Sequence, residues 1–155
     1  MTESVPAHLR PTLFAVNELL LDLIQLLQGY FKTDLESIMI LLCVTDATMR
    51  PFMRGADTPE QILTAPRPPE EVRGSISRRM IADKLKLSRE TVRRKTQELA
   101  EIGLIAIDGE DRVRSAVLLG DPAFREGLEN AHAIVVRYQA HLRTYGIDFD
   151  QGPTS

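Results

Sequence analysis

Leu13, Val16, Leu20, Leu23, Leu27 and Tyr30 recur at spacings of three and four, the period of an α-helix with one apolar stripe. No other feature restricts the fold as strongly. The same segment, TLFAVNELLLDLIQLLQGYF, places Leu19, Leu21, Ile24 and Leu26 outside the stripe. A helix this apolar needs cover on several sides, from its own domain or from a second chain. Gly29 weakens its end. A second helix is expected through DLESIMILLCVTDATM, with Asp34 as N-cap and Ser37 in the first turn. At the far end, Asp121 is the expected N-cap of a last helix and Pro122 its first residue. Phe124, Leu128, Ala131, Val135, Tyr138, Leu142 and Tyr145 then alternate at four and three, a heptad-like seam closed by Gly146. The remaining DFDQGPTS reads as a frayed tail.

Between these helices the pattern changes twice. Prolines at 51, 59, 66, 68 and 69 forbid a continuous helix, so residues 51–74 read as a loop with one short turn at PEQIL. From Ile76 helical periodicity returns. Ser77 caps SRRMIADKL, whose inner face is Met80, Ile81 and Leu85. After the short break KLS, Ser88 caps a second helix with Val92, Thr96, Leu99 and Ile102 on one face. Gly103 supplies a left-handed stop. LIAID and RVRSAVLL, separated by GED, are β-prone runs around a turn, a hairpin signal despite weak alternation.

The chain of 155 residues fits one domain, or one with helical extensions. Trp is absent and aromatics are 5 %, so the core is aliphatic. Cys43 has no second cysteine to pair with, and inside IMILLCV it reads as a buried, inert thiol. The rival reading, a redox sensor, needs a neighbouring cation that the local sequence lacks. MTESVPAH has no basic segment leading into an apolar one. The longest apolar run, Ile38 to Val44, is far below the roughly 18 residues of a membrane helix. A cytoplasmic protein without membrane contact is expected.

Charge is segregated. From Arg73 to Arg114 eleven Lys and Arg face seven Asp and Glu, a net of +4, which leaves −7 for the rest and −3 for the chain. A local anionic partner explains such an imbalance, as does a plain solvated helix face. Two short helices joined by a tight turn can set the second into a DNA major groove, provided it has an apolar seat and a polar outer face. Arg89, Glu90, Arg93, Arg94 and Gln97 are the candidate base contacts. Arginine donates two hydrogen bonds to guanine and glutamate accepts from cytosine. Arg78, Arg79, Lys84, Lys86, Ser88, Thr91 and Lys95 are candidate phosphate contacts, which set register and make binding salt-dependent. Arg112 and Arg114, beyond GED, join them on a candidate wing, although Glu110 and Asp111 oppose phosphate contact at its tip.

The stretch SRRMIADKLKLSRETVRRKTQELAEIGLI resembles the winged helix-turn-helix of the catabolite activator protein family of bacterial regulators. In that family a Ser-Arg-Glu-Thr-Val run opens the recognition helix, and the matching base readers here are Arg89, Glu90 and Arg94. The pair Ile81-Ala82 and the GLI before the hairpin are also similar. The resemblance covers about a quarter of the chain. The family's large β-rich cyclic-nucleotide domain has no counterpart among the helical first seventy-five or so residues, so the resemblance extends to the DNA-reading head alone. The layout, with helices on both sides of the head, loosely resembles MarR-type regulators.

The expected fold is mainly α: a winged helix-turn-helix with a small β-hairpin wing and flanking N- and C-terminal dimerisation helices. The expected division is 1–74 for an N-terminal helical segment with the proline-rich loop, 75–119 for the DNA-binding domain, 120–148 for a C-terminal helix and 149–155 for a tail. The apolar seams can pack inside one monomer. The breadth of the first favours a homodimer through Leu13, Val16, Leu20, Leu23, Leu27, Leu128, Val135, Tyr138 and Leu142. The expected function is sequence-specific binding of double-stranded DNA in transcriptional regulation. The alternative is a winged-helix protein-docking module without DNA. An enzyme is not expected: His8, His132 and His141 lie at no metal-ligand spacing, and no Gly-rich phosphate loop occurs. No cofactor or metal is implied. Apolar space between the first helices and the head leaves room for a small-molecule effector that no residue identifies.

Overall fold

The computed structural model describes residues 3–148, and the tail from 149 falls outside them. The chain is mainly helical with one small antiparallel sheet. In order it runs α1 (Leu9–Phe31), α2 (Leu35–Met49), α3 (Glu60–Thr64), β1 (Ile76–Ser77), α4 (Arg78–Leu85), α5 (Arg89–Glu101), β2 (Ile105–Ile107), β3 (Arg112–Ser115) and α6 (Pro122–Thr144). It divides into two compact units, residues 31–125 and the two terminal arms before 31 and after 125. Helix α2 thus groups with the basic helices, not with the N-terminal arm.

In the first unit, capping chemistry fixes the helix starts. Asp34, Ser77 and Ser88 each accept a backbone N–H three residues on, from Ser37, Met80 and Thr91. The ends are fixed by left-handed residues. Gly103 has φ +82°, its N–H donates to Ala100 and that of Leu104 to Leu99. This double closure satisfies the last carbonyls of α5. Lys86 takes the same role after α4 at φ +55°, a job the sequence did not advertise because a lysine fills it.

Ile40, Leu41 and Val44 of α2, Ile81 of α4, Val92 and Leu99 of α5, and Ile76, Ile105 and Val113 of the strands form one core cluster. Each fully buried aliphatic contributes about 1.5–3 kcal/mol. Cys43 is buried in that cluster, and burial pushes its thiol pKa up. Two members of the expected inner faces are corrected. Met80 lies exposed on α4, and Ile102 is 62 % exposed because α5 ends at Glu101 and Leu104 turns inward instead.

The strand order is β1-β3-β2, with Ile76 opposite Val113 and Ile105 opposite Ser115. Strand β1 is an addition to the expected hairpin. It is only two residues long and runs directly into α4, too short for a period-2 signal. Gly109 was the expected turn residue, yet Asp111 holds the positive φ of +62°. Asp108 Oδ1 accepts the N–H groups of Glu110 and Arg112 at 2.8 and 3.0 Å, which closes the three-residue turn.

The proline-rich segment has more structure than one turn: α3 and short 3-10 turns at Gly55–Asp57 and Glu70–Val72. Its end is tied to α2. The Gly74 N–H donates to Thr48 O at 2.9 Å, and a Cβ at 74 would stand 2.2 Å from Ala47 O. The buried Thr48 hydroxyl donates to Val44 O and accepts from Ser115 N–H, so α2 also grips β3.

In the second unit α1 and α6 run antiparallel. Arg137 pairs with Glu18 and Asp22, His141 Nδ1 lies 3.1 Å from Glu18, and Tyr30 faces Gly127. Helix α1 starts at Leu9, ahead of the expected segment, because Pro11 is tolerated in a first turn whose N–H groups have no partner anyway.

Candidate nucleic-acid interface

Helix α5 separates its residues cleanly. Val92, Lys95, Thr96 and Leu99 are buried, and Thr96 turns its hydroxyl back onto Val92 O at 2.6 Å. Arg89, Glu90, Arg93, Arg94 and Gln97 are all exposed. At 100° per residue they share one side of the helix, opposite the seat. The five expected base readers are therefore brought together on one exposed face, four of them in the N-terminal half of the helix and Gln97 just beyond it. Its charge weakens towards the C-terminus, where Glu98 and Glu101 are exposed.

The cations on that face are not equivalent. Arg93 is engaged with Glu90 through Nε at 3.0 Å and Nη2 at 2.5 Å. Arg93 holds the Glu90 carboxyl below the usual carboxylate range, with a smaller effect from Arg94. No hydrogen bond or salt bridge occupies Arg89, Arg94 or Gln97 among the described residues. Ser88 Oγ donates to Thr91 Oγ1 at 2.7 Å while it accepts the Thr91 N–H, so both hydroxyls form the cap at the helix mouth.

The expected phosphate contacts divide into three groups. Arg79 and Lys86 are exposed, and exposed Lys84 lies 4.0 Å from Asp46. Arg78, Arg112 and Arg114 are bound internally: Arg78 to Asp111 at the hairpin tip, Arg112 to Ser75 through Nε and Nη2, and Arg114 to Glu70 at 3.0 Å. Lys95 is the correction. It is 7 % exposed, and its Nζ meets Asp34 Oδ2 at 2.8 Å. Its place on α5 lies beside Leu99, so its stem is buried and its ammonium joins α5 to the start of α2. Hydrogen bonds from Lys95, and next from Ser37 N–H, lower the Asp34 pKa to about 2.

Sequence reasoning missed Asp34 as a partner and missed Arg67, Glu70 and Arg73 altogether. Glu70 accepts from Arg67 at 2.6 Å, Arg73 at 2.9 Å and Arg114 at 3.0 Å. The i,i+3 spacing of Arg67, Glu70 and Arg73 was the available signal.

The seam residues of α1 and α6 also differ. Leu13, Leu20, Leu128 and Val135 are exposed, as are Phe14, Leu21 and Val136 beside them. Val16, Leu23, Leu27 and Tyr138 are half-buried. Leu142 is a second correction: it is already 2 % exposed within the single chain, so it has no surface left for a partner. The end of α6 folds over at Gly146, where Ile147 N–H donates to Leu142 O.

No family model, curated protein or solved structure matches the chain. Among the described residues no helix is long and apolar enough to cross a membrane, and no group of three or more His, Cys, Asp or Glu is placed to hold a metal ion.

Proposed function

We propose that the chain is a sequence-specific double-stranded-DNA-binding transcriptional regulator that acts as a homodimer. In this reading residues from β1 to β3 form a winged helix-turn-helix, α5 is the recognition helix and the β2–β3 hairpin is the wing. The observation that carries the reading is the exposed face of α5 from its N-terminus, where Arg89, Glu90, Arg93, Arg94 and Gln97 stand opposite a buried seat. Helix N-terminal residues are the ones that reach base edges when such a helix enters a major groove. The unengaged Arg89 and Arg94 are the primary guanine readers, with two donors each for O6 and N7. Arg79, Lys84 and Lys86 flank them as phosphate anchors. The exposed leucines of α1 and α6 form the contact with a second copy, which sets two recognition helices about 34 Å apart.

Titration of duplex DNA at several salt concentrations tests the reading. Binding should weaken linearly in log–log form as salt rises. Arg89→Ala and Glu90→Ala should relax sequence preference while leaving the fold intact. A chain that binds no duplex at low salt is a protein-docking module instead.

A further inference from the structure

Along β3 the buried Val113 and Ser115 alternate with Arg112 and Arg114, so the two arginines stand on the opposite sheet face. The proline-rich segment lies against that face. Leu119 N–H donates to Pro66 O at 3.2 Å, and Arg73, with a side chain only 6 % exposed, reaches Ser115 O. Between segment and sheet is a cleft of about 200 Å³. Arg67, Arg73, Arg112 and Arg114 line it, together with Glu70 and Asp108. Ala106, Ile107, Ser115 and Ala116 complete its wall.

The charges in this cleft do not balance. Glu70 alone serves Arg67, Arg73 and Arg114. Asp108 directs Oδ1 at backbone N–H groups of its own turn. Two positive charges are left over. Arg114 Nε is buried and has no hydrogen-bond partner among the described residues, a costly state for a charged donor. Guanidinium forks match the oxygen pairs of phosphate and carboxylate groups.

We propose that this cleft binds a small dianion, a phosphate ester or a short dicarboxylate, and that Glu70 occupies the anion's place between the arginines until it binds. The proposal does not rest on the DNA reading, since neither α5 nor its exposed face takes part, although the cleft's β2 and β3 residues belong to the wing of that reading. Glu70 sits in the 3-10 turn of the proline-rich segment, so an incoming anion displaces that turn from Arg114 and Arg73.

The test is calorimetric titration of the full chain with inorganic phosphate and with succinate, in chloride buffer at constant ionic strength. At least one of them should bind saturably, and the tighter of the two identifies the phosphate or the dicarboxylate class. Glu70→Gln, which keeps the side chain's size and removes the competing charge, should bind about tenfold tighter or better. Arg114→Met should bind about tenfold weaker or worse, with circular dichroism melting to show that both variants fold. Three results overturn the proposal: no saturable heat with either anion, Glu70→Gln binding no tighter than the parent, or Arg114→Met binding unchanged. If Arg114→Met lowers the salt slope of duplex binding while neither anion binds the parent, the cleft arginines serve a DNA backbone and the proposal fails.

Discussion

A cation that neutralises a phosphate must reach solvent, and Lys86 and Lys95 differ in that respect. Lys86 ends α4 in an exposed left-handed turn, whereas Lys95 is buried against Asp34. Lys86→Ala should therefore lower the salt slope of duplex binding by about one phosphate's worth. Lys95→Met should leave that slope unchanged and act through stability; a lowered slope would return Lys95 to the phosphate contacts. The same pair sets a pH dependence. The folded Asp34 pKa is about 2, below its ordinary value of 3.8. A depressed carboxyl stabilises the fold above the ordinary value, and that stabilisation is lost as pH falls from about 4 towards 2. The gap in urea midpoint between the parent and Asp34→Asn should therefore be largest near pH 5 and shrink by pH 2. A gap that stays constant with pH would show that the pairing is not what the variant loses. At the proposed base-reading positions, Arg89→Ala and Arg94→Ala should each erase about 1–3 kcal/mol of discrimination at one base pair. Affinities for a set of single-base operator variants measure it.

At the scale of elements, α2 holds the rest of its unit in register through Thr48 and the backbone next to Gly74. Thr48→Val keeps the volume but leaves the buried Ser115 N–H without an acceptor, and should cost about 1–3 kcal/mol by chemical denaturation. Gly74→Ala forces the added methyl onto Ala47 O and Pro51, and should destabilise more than an exposed substitution such as Gly109→Ala. What the sequence disclosed of these elements follows from the range of the interactions. Asp34, Ser77 and Ser88 act on a neighbour three residues away, so their caps were legible as short motifs. Gly103 and Gly146 were legible as stops for the same reason. The burial of Lys95 was not, because its partner Asp34 is sixty-one residues earlier. Nor was the role of Glu70, which reaches Arg114 forty-four residues on. Strand β1 escaped because two residues cannot show a period. Asp111 escaped because Gly109, two residues earlier, drew the turn assignment, while the side chain of Asp108 shaped the turn. For α5 the exposed set was readable because an amphipathic helix places its polar residues by counting. The internal engagement of Arg78, Arg112 and Arg114 depends on tertiary neighbours that counting does not supply.

For the molecule as a whole, the proposal assigns the exposed leucines of α1 and α6 to a contact between two copies and the exposed cations of α5 to DNA. Leu20 and Leu21 are each about half exposed in the single chain, so Leu20→Glu and Leu21→Glu should leave the protomer folded. Both should sediment as monomers and bind duplex DNA more weakly than the parent. Persistence of the dimer in both would move the interface off α1. Selection of bound duplexes from a random pool tests the central claim most directly. The account predicts enrichment of two inverted half-sites about one helical turn, some 10 base pairs, apart, with guanine preferences that weaken in Arg89→Ala and Arg94→Ala. A pool that emerges with no enriched sequence, or with one whose preferences survive both substitutions, would contradict it.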